Sequence, residues 1–271
     1  MSALHPPLTT VELPEHARRF SKAAAQYPHH ARVQQRAAQH LWQWAKPALA
    51  DTPAPKACVD VGCGTGTLTR LVMDSLPGVP MHAVDIAPGM LQALRDSTPD
   101  DAPLHTHLLD GETLSLEQLW IPTQSLLVSN MCAQWFNDLD AAVRRWLTVS
   151  DTLAFSVLLD DSFTVWKDAH TTCGQPCNLR RLPTRLEIDQ LLNGLRSEGL
   201  AQHTALHTHE FLDQHPNGLS FARGLRAIGA DVGQTGQPAQ LRRVLSHLNQ
   251  PCTFNYHLAF VLIQRKPATQ S

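Results

Sequence analysis

The residues best placed to do chemistry are three glycines and three carboxylates at the ends of successive apolar runs. In VDVGCGTGTL the run closes on Asp60 and Val61, and the chain then passes through Gly62, Gly64 and Gly66 into a helical pattern. Glycines allow a tight turn and a close backbone approach to a ligand, and the amides at a helix start attract an anion. The spacing is G-x-G-x-G; the position of a dinucleotide fingerprint's third glycine holds Thr67. Asp60, directly ahead of the turn, is expected to accept from a ligand ammonium, directly or through water, while the turn amides take a carboxylate. An amino-acid moiety carries both groups. Asp85 closes MHAVDI, 19 residues past Gly66, a separation that crosses one helix and returns, and its carboxylate can accept both hydroxyls of a ribose. Asp110 in THLLDG is placed for an adenine amino group or as the cap of the next turn, and Asn130 closes SLLVSN.

Bringing these groups together requires strands that alternate with helices. The short runs ACVDVG, MHAVDI, THLLDG, SLLVSN and TLAFSVLL read as strands, and 88–97 and 138–147 read as helices between them. The fold class is therefore α/β and Rossmann-like, with a central, mostly parallel seven-stranded sheet covered by helices on both faces. The expected domains are an N-terminal arm with two cap helices over 1–52, a cofactor-binding core over 53–213, a helical lid over 214–250 and a closing strand of the core sheet over 251–271. Pro28 suits the first turn of the second cap helix.

Composition narrows the partners. Lys and Arg total 22 against 24 for Asp and Glu, a formal charge of -2, so no global field recruits nucleic acid or anionic lipid. The N-terminus reads as neither signal peptide nor membrane anchor, and the six cysteines read as reduced thiols, so a cytoplasmic chain is expected. His170, Cys173 and Cys177 form H-x-x-C-x-x-x-C, and His203, His207 and His209 cluster nearby, but neither has the paired C-x-x-C of a closed zinc site. No metal is expected.

Taken together, Asp60, the three glycines and Asp85 point to a nucleoside-type cofactor, S-adenosylmethionine ahead of NAD. The wider sequence resembles the malonyl-acyl-carrier-protein O-methyltransferases of biotin synthesis, within the class I S-adenosylmethionine-dependent methyltransferases. The resemblance runs through FSKAAAQYPHHARVQQ, VDVGCGTGTLTR, AVDIAPGML, LLDGETLSL, SNMCAQWFNDLDAAVRRW, RRLPTRLEIDQLLNG, GLRAIGA and NYHLAFVLI. The loop LTVSDTLAF departs from the family's Pro-Gly turn, and Trp120 and Pro122 stand in a stretch expected to be more acidic.

The resemblance implies methyl esterification of the free carboxylate of a malonyl thioester on acyl carrier protein or coenzyme A. That carboxylate is ionised at neutral pH, so it attacks a sulfonium methyl without a general base. The resemblance further implies cofactor contacts from Asp60, Gly62, Gly64, Gly66, Asp85, Ile86, Asp110 and Asn130. It implies Tyr27 as a residue lying over the cofactor, Gln134 beside the reacting groups, Trp135 on the substrate wall, and Arg180 or Arg226 as the carboxylate anchor, with Arg180 preferred. An acidic carrier protein would dock on basic patches: Arg32 with Arg36, or Arg180, Arg181 and Arg185. Three other readings stay open here: methylation of another small carboxylate or amine, a cofactor-binding regulator without turnover, and an NAD-dependent dehydrogenase.

Overall fold

The computed structural model describes residues 13–49, 53–119, 121, 124–230 and 238–265. The first part of the N-terminal arm, Trp120, Pro122 and part of the expected lid lie outside the described residues. The chain opens with α1 (Glu15–Ala23), α2 (Tyr27–His30) and α3 (Arg32–Leu49). Alternation follows through β1 (Ala57–Val61), α4 (Thr67–Ser75), β2 (Met81–Asp85), α5 (Pro88–Asp96), β3 (Leu104–Leu108), α6 (Leu116–Leu119) and β4 (Ser125–Asn130). Next come α7 (Leu139–Val149), β5 (Thr152–Leu158), α8 (Thr164–Thr172), α9 (Arg185–Ser197) and β6 (Ala201–His215). The chain then forms α10 (Gly218–Ala227), α11 (Pro238–His247) and β7 (Cys252–Arg265).

The seven strands form one sheet in the order β3-β2-β1-β4-β5-β7-β6. β1 to β5 run parallel, and β7 lies antiparallel between β5 and β6. The strand order reverses between β1 and β4, and a crevice opens at such a switch point beyond the carboxyl ends of the strands. Asp60, Asp85 and Asn130 come from strands ending at that crevice.

Side-chain alternation along β1 builds the two faces. Val59 and Val61 enter one core cluster with Phe155 and Trp146, while Cys58 faces the other with Leu41, Trp42 and Val72. Asp60 shares the Cys58 face, towards α4. Local signals fix several helix starts: Asp138 caps α7 by accepting from Ala141 N at 2.9 Å, and Thr184 with Glu187 forms a capping box on α9.

Three details differ from the sequence reading. The amino-terminal segment forms three helices, because Pro28 starts a separate four-residue turn, α2. α8 is an additional helix, and β3 lies two residues earlier than THLLDG indicates. Asp110 consequently sits in the turn after the strand, where its Oδ1 accepts from Glu112 N at 2.9 Å. Among the described residues no helix is long and apolar enough to cross a membrane.

Candidate active site

Between β1 and α4 all three motif glycines adopt left-handed backbone, with φ of 68° at Gly62, 53° at Gly64 and 88° at Gly66. A side chain is strained in that region, so the turn needs glycine on backbone grounds alone. Gly66 is buried and a Cβ there would lie 2.3 Å from Leu94 Cδ1, so it serves helix packing and does not line the cleft. Asp60 is also placed differently from the simplest expectation. It is 1% exposed behind the turn, and its Oδ2 accepts from Thr69 Oγ1 at 2.6 Å. Its Oδ1 is buried without a partner.

Asp85 stands at the opposite side of the turn, ending β2. Its Oδ2 accepts from Gly64 N at 2.9 Å and its Oδ1 from Ala87 N at 2.8 Å. One carboxylate thereby holds the glycine turn and the entry to α5. Asp85, Ile86, Gly62, Gly64, Asp110 and Asn130 border a cleft of about 360 Å³, within the range of small-molecule sites. Asp110 reaches it from an exposed position. Asn130 is fixed on both sides, donating from Nδ2 to Gln34 O at 3.0 Å and accepting from Ser156 Oγ at 2.8 Å.

The amino-terminal helices form the opposite wall. Tyr27 borders the cleft with its ring 3.9 Å from a notional Gly64 Cβ, and burial, with Asp85 and Cys132 nearby, pushes its phenol upward so that it stays neutral. Trp135 is held between α1 side chains: His16 stacks on it at 6.1 Å between centroids, and Phe20 meets it edge-on at 5.3 Å. His16 and Phe20 were not singled out in the sequence, although their i, i+4 spacing puts both on one helical face.

Arg180 is held at the rim, its Nη2 donating to Phe136 O at 2.6 Å and to Asn137 Oδ1 at 3.3 Å. Arg180, Trp135, Tyr27 and Phe20 also border a second, apolar cavity of about 90 Å³, which Gln134, Leu225 and Ile228 complete. Gln134 donates to Met131 O at 2.6 Å while its Oε1 is buried without a partner. Arg226 lies elsewhere: the turn of α10 that buries Leu225 and Ile228 turns it outward, exposed and away from both cavities. That placement favours Arg180 over Arg226 as the carboxylate anchor. Arg181 and Arg185 are ion-paired to Glu187 and Asp189.

Residues 59–149 match the family model described as a methyltransferase domain. A methyltransferase domain therefore occupies that stretch, on a class I methyltransferase fold. The BioCD bifunctional biotin biosynthesis protein of Bordetella avium is 33% identical over 254 residues, covering 90% of this chain, which spans only 51% of that relative. The malonyl-[acyl-carrier protein] O-methyltransferase of Anoxybacillus flavithermus is 29% identical over 82% of each chain. Among solved structures, the YcgJ protein of Bacillus subtilis superposes with a TM-score of 0.56 at 15% identity, covering 84% of this chain and 99% of that one. The magnesium protoporphyrin IX methyltransferase of Synechocystis, solved with bound S-adenosylhomocysteine, gives 0.51 at 13% identity, covering 84% and 82%. Both likenesses concern the fold.

The family's cofactor, S-adenosylmethionine, fits the residues present. Gly64 leaves open backbone at the cleft, where a Cβ would meet only the Tyr27 ring at 3.9 Å, Asp85 borders the cleft with its carboxylate, and the unpartnered Oδ1 of Asp60 calls for a buried donor. Burial raises Asp60 to about 7, with Asp85 adding to it against the Thr69 hydrogen bond, and raises Asp85 to about 6 against its backbone donors. Both groups take up protons on folding, so their contribution to stability is full below the ordinary carboxylate range and is lost as pH rises through about 6 to 7. A cationic ligand favours the ionised forms. Affinity for S-adenosylhomocysteine, which retains the ammonium, should rise by about tenfold between pH 5.5 and 8. Calorimetry across that range in two buffers of different ionisation enthalpy should also register proton release on binding; a flat affinity with no proton release would overturn this assignment.

Proposed function

We propose that this chain uses S-adenosylmethionine to methylate the free carboxylate of a malonyl thioester carried by acyl carrier protein, in the cytoplasm. The observation that carries this reading is the shared wall of the two cavities. Arg180, Trp135 and Tyr27 border both the polar cleft beside the glycine turn and the small apolar cavity. A short acyl carboxylate entering between them would meet the Arg180 guanidinium while its thioester stem lies against apolar side chains. The name of the Anoxybacillus relative supports the same substrate, and that of the Bordetella relative supports a place in biotin biosynthesis.

The bound cofactor supplies an electrophilic methyl on sulfur. The protein's task is to bring a carboxylate oxygen in line with it and keep water out. Arg180 orients the carboxylate through charge-assisted bonds, and its rim position lets the oxygen remain reactive. His16, the histidine in the cleft wall, is held below its usual range by burial and then by Arg180 and Arg19, so it adds no competing cation at neutral pH. Tyr27 and Trp135 exclude solvent, and Gln134 lines the acyl side. We read α10 and α11 as the lid over the acyl side, since Leu225 and Ile228 of the α10 segment border the apolar cavity. Carrier docking then falls to the exposed guanidinium of Arg32 and to Arg180 at the mouth.

Radiolabelled methyl transfer from S-adenosylmethionine to malonyl-acyl carrier protein, compared with succinyl and amine acceptors, tests the reading. Preference for an acceptor other than malonyl would sink the substrate assignment and leave the cofactor site standing. In the same assay Arg180→Ala should lower kcat/KM by roughly ten- to a hundredfold, the loss of about 1.5 to 3 kcal/mol from one charge-assisted bond. Affinity for S-adenosylhomocysteine should stay unchanged; a parallel fall would move Arg180 to the cofactor side.

A further inference from the structure

Where α3 crosses the edge strand β6, three imidazoles from these two elements converge. β6 presents His207 and His209 on one face, as the strand's two-residue period requires, and both pair across to β7 at Phe260 and Leu258. α3 lays His40 over them. The His40 ring is 4.5 Å from His209 with an interplanar angle of 19° and 5.3 Å from His207 at 15°. Each of the three offers a ring nitrogen, and these nitrogens lie within 4.8 Å of one another. His40 Nε2 is buried and has no hydrogen-bond partner.

We propose that His40, His207 and His209 form a binding site for a divalent cation of the Zn²⁺ class, separate from the methyl-transfer cleft. Neutral imidazole suits zinc and its neighbours among the transition metals. Three protein nitrogens at about 2.1 Å would leave a fourth, solvent-facing position for water. Closing the three nitrogens from their present spacing to the edge of such a tetrahedron, about 3.4 Å, asks for rotation of the half-buried, stacked rings. The orphaned Nε2 would gain the partner it lacks. Phe211 and Phe260 wall the site with apolar surface, and the nearest guanidinium, that of Arg36, is drawn off to Leu212 O at 3.1 Å and to the face of Phe211. The ion would tie α3 to the edge strand β6. Among the described residues this set converges, whereas His170, Cys173 and Cys177, with the more metal-like spacing in sequence, do not.

Tag-free full-length protein, stripped with a chelator, should take up one Zn²⁺ per chain in a competition titration, and its thermal midpoint should rise with the ion present. His40→Gln, His207→Gln and His209→Gln should each weaken uptake by about tenfold or more, while His203→Gln, further along the same strand, should leave it unchanged. Unaltered binding of S-adenosylhomocysteine would certify that each variant is folded. Uptake that survives the three substitutions together, or that disappears instead with Cys173→Ser and Cys177→Ser, would overturn the site. The readout is the ion itself, so the result does not depend on the substrate reading.

Discussion

Asp85→Ala should bind S-adenosylhomocysteine about a hundredfold more weakly than the unchanged protein, with circular dichroism showing the fold retained. Two losses add in this variant. With Asp85 taken as the ribose acceptor, the ribose hydroxyls lose a charged partner, and hydrogen bonds to charged groups contribute about 1.5 to 3 kcal/mol each. Gly64 N and Ala87 N lose the oxygens that hold them at 2.9 Å and 2.8 Å, so the glycine turn and the start of α5 are no longer fixed relative to each other. About 2.7 kcal/mol is a factor of a hundred, which the ribose term reaches alone and the turn's loosening enlarges. Asp85→Asn keeps the shape but replaces one acceptor by a donor, which must then face Gly64 N or Ala87 N. An intermediate loss of about tenfold is expected there. Asp110→Ala provides the contrast, because that carboxylate is exposed and engaged with Glu112 N; its effect should stay within about threefold. Calorimetric titration at pH 7.5 decides the order. Equal affinities for the Asp85→Ala and unchanged proteins would remove the ribose assignment.

The same carboxylates show how far the sequence could be read. Strands β1, β2, β4 and β5 were legible because each is a short, largely apolar run, and parallel central strands are buried on both faces. The glycine turn was legible from its spacing, and the observed positive φ at all three positions is the reason that spacing exists. Less was visible where the answer depends on which way a side chain points. Asp60 is read from sequence as a direct or water-mediated ligand contact; strand alternation sets it behind the turn, with Oδ2 on Thr69 and Oδ1 left without a partner. Arg226 lies one residue from Leu225, and the helical period that buries one exposes the other. β3 is half-exposed at the sheet edge, so its apolar signal was weak and its end was read two residues late. His40 is 167 residues from His207, and no spacing rule links a helix residue to an edge strand at that distance. The packing of His16 and Phe20 on Trp135 was hidden for the same reason, since it joins α1 to the turn after β4.

Gly62→Ala should be strongly destabilising, and two independent effects produce the loss. At φ of 68° an L-residue is strained by about 1 to 2 kcal/mol. A Cβ would also lie 2.2 Å from Cys132 Sγ and 2.5 Å from Cys132 Cβ, contacts that force the turn after β4 to move; overpacking of this kind costs about 1 to 3 kcal/mol. Gly78→Ala separates the two, because Gly78 has φ of 79° with nothing within 4 Å of its notional Cβ. It should lose the strain energy alone. Urea unfolding should therefore place Gly62→Ala about 2 to 5 kcal/mol below the unchanged protein and Gly78→Ala about 1 to 2 kcal/mol below it. Adding Cys132→Ala to Gly62→Ala should recover only part of the difference, since the clash with the Cys132 Cβ remains when the sulfur is gone. Binding should follow the same order, because displacing this turn moves Gly64 N away from Asp85. Equal destabilisation by the two glycine substitutions would mean that Cys132 yields freely and that backbone strain alone makes glycine necessary at this turn.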